Sequence, residues 1–125
     1  MSRKDKIIVT CGNFDIVNRH DLSFLRNARS RGDWLIVGVH SDLWMATYNG
    51  GFNQNHETRM DIVSGLRPVD EVFRFNDHDG TACQLLKLVK ICYPNATITF
   101  ISDSDMQDTP EKKIKGIRFE VMKQE

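Results

Sequence analysis

The sequence has no long apolar run. Its charged opening, MSRKDK, leads into only a five-residue β-rich stretch, Ile7 to Cys11, too short for a membrane span or a secretory leader. It has no excess of either charge, with 17 basic and 17 acidic residues, so no global field draws in nucleic acid or an anionic membrane. Neither is expected as a partner, and any anion site must be built locally. Cysteine is scarce: Cys11, Cys83 and Cys92 have no metal-site spacing, and their odd number leaves one unpaired in any disulfide scheme. Two of them sit in apolar runs, as buried structural thiols do, which points to a reducing, cytoplasmic setting. The sequon at Asn95 therefore reads as chance. No repeat, linker or low-complexity stretch breaks the chain. What remains is ordinary for a globular protein, 40% hydrophobic and 27% charged, and 125 residues fit one domain, 1–125.

Ile7 to Cys11 and Trp34 to Val39 (WLIVGV) are nearly continuous apolar runs, the pattern of strands covered on both faces of a parallel sheet. Between them Leu22, Leu25 and Ala28, with Phe24 alongside, recur at helical spacing, and Gly32-Asp33 ends the pattern. Met60, Val63 and Leu66, with Ile62 beside them, predict a second helix over Glu57 to Leu66, which Pro68 stops. Val69 to Phe75 reads as a third strand. Ala82, Leu85, Leu86 and Val89 predict another helix, with Asp79 as its cap. Ala96 to Ile101 is a fourth strand, and Ile117 to Met122 alternates like an edge strand. Strands alternating with helices imply a doubly wound α/β fold, a five-stranded parallel sheet with right-handed crossovers. Two loops, residues 47–55 and 102–109, fall where open α/β sheets place their ligands.

The stretch CGNFDIVNRHD, residues 11–21, lies at the first strand-to-helix junction, where a glycine turn can present a helix N-terminus to phosphate. The matching blocks are Gly12, Phe14, Asp15, Ile16 and Val17; then Ala28, Gly32, Asp33, WLIVGV, Ser41 and Asp42; then Glu57-Thr-Arg59 through Val69-Asp70-Glu-Val; and more weakly Ile101-Ser-Asp103 with Thr109-Pro110-Glu111. In this order they resemble the cytidylyltransferase-like nucleotidyltransferase family, above all the glycerol-phosphate cytidylyltransferases and heptose-phosphate adenylyltransferases. The resemblance covers about residues 6–120 and implies a Rossmann-like nucleotidyltransferase fold. It also implies transfer of CMP or AMP from a nucleoside triphosphate to a small sugar or polyol phosphate, and a homodimer. Carried over residue by residue, it places nucleotide contacts at Gly12, Asn13, Phe14, Asp15, Arg19, His20 and Arg59. Substrate contacts fall at Asp42 and Asp103.

The departures fall on the chemistry. The family's H-x-G-H becomes Asn18-Arg19-His20-Asp21, so the catalytic positions are held by Asn18 and Asp21. Tyr48 to Gly51 stand where relatives carry a lysine, and a closing Ser/Thr-rich phosphate motif does not follow the last strand. Removing one phosphate-facing donor typically costs about 3 to 4 kcal/mol in the transition state. A carboxylate about 4 Å from a phosphate charge adds roughly 4 kcal/mol of repulsion at an effective dielectric near 20. Activity is therefore expected to be weakened or lost.

Several residues carry two readings. Asp21 is a candidate ligand for a Mg²⁺ bridging the phosphates, the one cofactor expected, while Arg19 or His20 could serve as replacement donors. Alternatively Asn18 or Asp21 simply caps the helix. Asp15 is a ligand-site acid or holds a turn through backbone hydrogen bonds. Arg59 serves phosphates or a subunit contact, or is an exposed helix arginine paired near Glu57. His56 and His78, in loops, are expected to be solvated. Trp44 and Met45 suit packing or an interface better than base stacking, and with Phe52 they form the expected dimer contact. The competing functions are a diverged transferase, a non-catalytic relative serving as a ligand-binding or protein-interaction module, and a phosphate binder using the Gly12 to Phe14 backbone and Arg19.

Overall fold

The computed structural model describes residues 4–103 and 109–122, so part of the expected 102–109 loop lies outside the described residues. In chain order the elements are strand β1 (Lys6–Gly12), helix α1 (Arg19–Arg29), strand β2 (Trp34–Val39), helices α2 (Asp42–Tyr48) and α3 (His56–Ser64), strand β3 (Glu71–Phe73), helix α4 (Cys83–Cys92), strand β4 (Thr97–Ser102), a 3-10 turn (Pro110–Lys113) and strand β5 (Ile117–Val121). The strands form one five-stranded sheet in the order β3-β2-β1-β4-β5, every neighbouring pair parallel.

Alternation along the strands divides the core in two. Ile8, Leu35, Val37 and Val39 face α1 and α3, meeting Phe24, Leu25, Ala28 and Val63. Ile7, Val9, Ile36, Ile98 and Phe100 face the other way, onto Leu85, Leu86 and Val89 of α4. Each fully buried aliphatic side chain contributes roughly 1.5 to 3 kcal/mol, so the sheet is held from both faces, as its continuous apolar runs require. At Gly38, in the middle of β2, a Cβ would lie 2.5 Å from Leu85 Cδ2 and 2.9 Å from Phe75 Cε1. The missing side chain is what lets α4 seat on β2.

Four local expectations need correction. The third strand is only Glu71–Phe73, because Val69 N–H closes a turn onto the Leu66 carbonyl and the Asp70 carboxylate is drawn to the Leu35 amide. Residues 42–48, partly expected as loop, form α2, with the Ser41 hydroxyl accepting from the Trp44 amide as its cap. Asp79 does not cap α4. It bonds Thr81, and the carboxylate nearest the helix start is Glu111, whose Oε2 accepts the Ala82 amide at 3.0 Å. His56 is not a solvated loop residue: it is buried at the start of α3 with Nε2 at 2.9 Å from the Val39 carbonyl. His78 is exposed, as expected.

Candidate functional site

β1 and β4 are neighbours in the sheet, yet the chain leaves β1 towards α1 on one face and enters β4 from α4 on the other. Their carboxyl ends therefore diverge at a topological switch point, the place where open α/β sheets bind ligands. A cleft of about 630 Å³ lies there, lined among others by Gly12, Asn13, Phe14, Asp15, Asp21 and Asp103. The chain turns out of β1 through Phe14, whose φ of 52° is left-handed, an unusual conformation for an aromatic residue. Its ring folds back over Gly12, where a Cβ would meet Phe14 Cε2 at 3.0 Å. A side chain at Gly12 would therefore have to displace the Phe14 ring.

The start of α1, where an anion would dock, is closed by the protein's own atoms. Asn18 Oδ1 accepts from the His20 and Asp21 amides at 3.0 and 3.1 Å, and Asp21 Oδ2 accepts from the Asn18 amide at 3.1 Å. This reciprocal capping box satisfies amides that a bound phosphate would otherwise take. Both capping readings of Asn18 and Asp21 are thereby met, and Asp21 also lines the cleft. Arg19 and His20 are exposed and are not among its lining residues.

Arg59 is the opposite of an exposed helix arginine. It is 0% exposed, and its guanidinium donates to the carbonyls of Gln54, Asn13 and His40 and to Asp42 Oδ1, at 2.7 to 3.0 Å. Asp42, expected at a substrate, is its ion-pair partner and lies outside the cleft. Arg59 therefore ties the ends of β1 and β2 to α3, and those donors face protein acceptors. Asp15 likewise holds structure: its carboxylate accepts the amides of Asn53 and Gln54 at 2.8 to 3.0 Å, bonds that keep its pKa below the ordinary 3.8. It grips the far loop, whose Gly50 and Gly51 adopt φ of 78° and 128°, rather than its own turn. Met45 is fully buried under α2 and cannot form an intermolecular contact, whereas Phe52 is exposed.

Nothing in the sequence pattern singled out His40 and Asp77, yet they form a hydrogen-bonded cluster whose His40 lines the cleft. His40 follows β2 and is 6% exposed; its Nδ1 lies 3.0 Å from Asp77 Oδ2. That carboxylate also accepts the Ser41 amide at 2.9 Å and the Ser41 hydroxyl at 2.7 Å. Trp44 stacks on the imidazole, with ring centroids 3.7 Å apart and planes 9° from parallel. Burial would raise the Asp77 carboxyl, but the Ser41 hydroxyl and amide and His40 outweigh it and hold the group below 3.8. Burial dominates at His40, keeping it below 6.5 against the opposing pull of Asp77. The available signal was positional: a histidine immediately after a fully apolar strand, at the carboxyl end where ligands bind.

The charge of the cleft is one-sided. Three carboxylates, Asp15, Asp21 and Asp103, line it, and no lysine or arginine does among the described residues. Cys11, also at its wall, has its thiol pushed up to about 12, first by burial and then by Glu111, Asp103 and Asp77. A thiol so raised is protonated at neutral pH. No three His, Cys, Asp or Glu side chains among the described residues converge to hold a metal. For Mg²⁺ Asp21 is thus at most a lone anchor, its Oδ1 making none of the described hydrogen bonds.

A parallel sheet with helices on both faces and a cleft at its switch point defines the Rossmann-like nucleotidyltransferase class of fold. Comparison with known proteins agrees: the Cytidylyltransferase-like family profile matches residues 9–122, and the chain belongs to that family. The bifunctional protein HldE of Haemophilus influenzae strain PittEE is 40% identical over 78 residues, 61% of this chain and 16% of that protein. HldE of Pseudomonas putida strain GB-1 is 36% identical over 91 residues, 71% of this chain and 19% of that protein. The chain thus spans less than a fifth of the length of these curated relatives. The crystal structure of the lipopolysaccharide core biosynthesis protein from Thermoplasma volcanium GSS1 superposes with a TM-score of 0.69 at 21% identity, covering 96% of each chain. That likeness establishes the fold.

Proposed function

We propose that this chain takes a nucleoside triphosphate into the β1/β4 cleft and transfers CMP or AMP to a small sugar or polyol phosphate, far more slowly than a site with histidines at positions 18 and 21 would. The observation that carries the reading is the charge of the cleft: three carboxylates and no lysine or arginine among its described lining residues, beside a helix start already capped by Asn18 and Asp21. In-line nucleotidyl transfer needs positioning and positive charge on the phosphate oxygens, and this wall supplies shape without that charge. Asp21 is the residue that would hold a Mg²⁺, and such an ion would offset phosphate charge. The pairing of two copies implied by the family resemblance belongs to the same proposal. With Met45 buried, its apolar contacts fall to the exposed Leu43, Tyr48 and Phe52.

Titration calorimetry with CTP and ATP, each with Mg²⁺, tests the reading beside the triple variant Asn18→His, His20→Gly, Asp21→His. The variant is expected to bind a triphosphate at least about tenfold more tightly, because two imidazole donors replace a capping amide and a carboxylate at the phosphate-facing helix start. It is also expected to release pyrophosphate faster with a panel of sugar and polyol phosphates. If neither protein takes up a triphosphate, the cleft is not a nucleotide site. Brisk turnover by the unmodified chain would equally end the proposal.

A further inference from the structure

We propose that the groove between α4 and the 3-10 turn before β5 is a docking surface for an acidic amphipathic helix of a partner protein. The groove has a volume of about 650 Å³ and shares no lining residue with the β1/β4 cleft, so it stands apart from the nucleotidyl-transfer reading. Its rim is basic. Lys87 and Lys90 come from α4, Lys113 and Lys115 from the 3-10 turn and the residues that follow it, and no carboxylate lines the groove among the described residues. In a chain whose 17 basic residues balance 17 acidic ones, this is a local concentration of positive charge, the reverse of the cleft. Glu111 stands on the same turn, but its Oε2 accepts the Ala82 amide at 3.0 Å. No salt bridge among the described residues holds Lys87, Lys113 or Lys115.

The floor is apolar and the walls are fixed. Leu85, Leu86 and Val89 turn towards the sheet, which leaves Lys87, Lys90 and Ile91 on the outer side of α4, spaced three and four apart. Ile91 is 74% exposed, and Ile114 and Pro110 line the groove with it. Lys90 spans the two walls: its Nζ donates to the Lys115 carbonyl at 2.6 Å, and a Cβ on Gly116 would come within 3.4 Å of the same nitrogen. The groove is thus preformed and loses little order on binding. Its lining selects the partner. Carboxylates answer the ammonium groups, aliphatic side chains cover Ile91 and Ile114, and the ten residues of α4, about 15 Å, match about three turns of a facing helix. Neither an arginine nor an aromatic ring lines it, so it offers no stacking platform for nucleic-acid bases. Its apolar residues line a hollow instead of a protruding face, which suits a helix better than a bilayer.

The test is fluorescence anisotropy of the full chain with a labelled peptide about 14 residues long, leucines on one helical face and glutamates on the other. This peptide is expected to bind, and a version with every glutamate changed to glutamine is expected to bind at least about tenfold more weakly. The double variant Lys87→Glu, Lys113→Glu should weaken the acidic peptide at least about tenfold, and so should Ile91→Ser, which removes an aliphatic contact from the floor. All three positions are exposed, so these variants are expected to keep the thermal midpoint of the unmodified chain. Cys83 lines the groove and gives a second readout without touching its charge: in a Cys92→Ser background, saturating peptide should slow alkylation of Cys83 at least about fivefold. No binding of the acidic peptide, undiminished binding by the double variant or by Ile91→Ser, or an unprotected Cys83 would each overturn the proposal. Tighter lysine-dependent binding of phosphatidylglycerol vesicles or of polyuridylate would assign the groove to a membrane or to RNA and overturn it as well.

Discussion

Arg59 has the largest structural stake of any single residue near the cleft. Its guanidinium joins three carbonyls and Asp42, and these contacts bring the end of β1, the end of β2 and the start of α3 to one point. Removing a buried cation that satisfies several acceptors is costly because each carbonyl then loses its partner away from water. Arg59→Ala is expected to lose about 3 to 5 kcal/mol of stability in urea titration. Arg59→Lys should recover only part of that, since an ammonium cannot span the same fork. A loss under 1 kcal/mol for the alanine variant would refute this account. The arginine was visible in the sequence, but its burial was not, because nothing local distinguishes a helix arginine that faces inward from one that faces solvent. The same holds for His40 and Asp77, 37 positions apart and joined only once β2 and the segment after β3 lie side by side.

Among the elements, α1 is the one whose ends were most legible. Asn18 and Asp21 occupy the two positions of a capping box, Phe24, Leu25 and Ala28 form its buried stripe, and Arg26 and Arg29 lie in its last turn where the helix dipole favours them. Asn18→Ala should cost about 1 kcal/mol, the usual loss of a side-chain cap, measured as a lowered thermal midpoint. No loss would mean that water serves those amides equally well. The strands of the interior were legible from their apolar runs alone. The ends of β3 and the capping of α4 were not, since both depend on partners far along the chain: Asp70 meets the Leu35 amide, and Glu111 meets the Ala82 amide. Local pattern cannot report such pairings.

Over the whole molecule, a five-stranded parallel sheet was implied by the alternation of strands and helices, but its order β3-β2-β1-β4-β5 was not, and that order fixes the switch point where the cleft lies. The pH dependence of stability is likewise a property of the whole. His40 and His56 are both held below 6.5 in the fold, first by burial. Below that value the unfolded chain binds more protons than the folded one, so stability falls on acidification and is unaffected by these groups above it. A second loss begins below 3.8, where Asp15 and Asp77, both depressed in the fold, must be protonated. Scanning calorimetry should give a flat thermal midpoint from pH 7 to 8 and a decline below about 6.5. A midpoint that rises on acidification would contradict the neutral, buried imidazoles.

The face-to-face contact of Trp44 with His40 gives the protein a built-in optical gauge. An excited indole gives up an electron to imidazolium far more readily than to imidazole, so emission from Trp44 dims when its neighbour is charged. The other indole, Trp34, is hydrogen-bonded to Glu71 on the opposite side of β2's length and supplies a steady background. The state of the ring at the cleft can therefore be followed by light in the unlabelled chain.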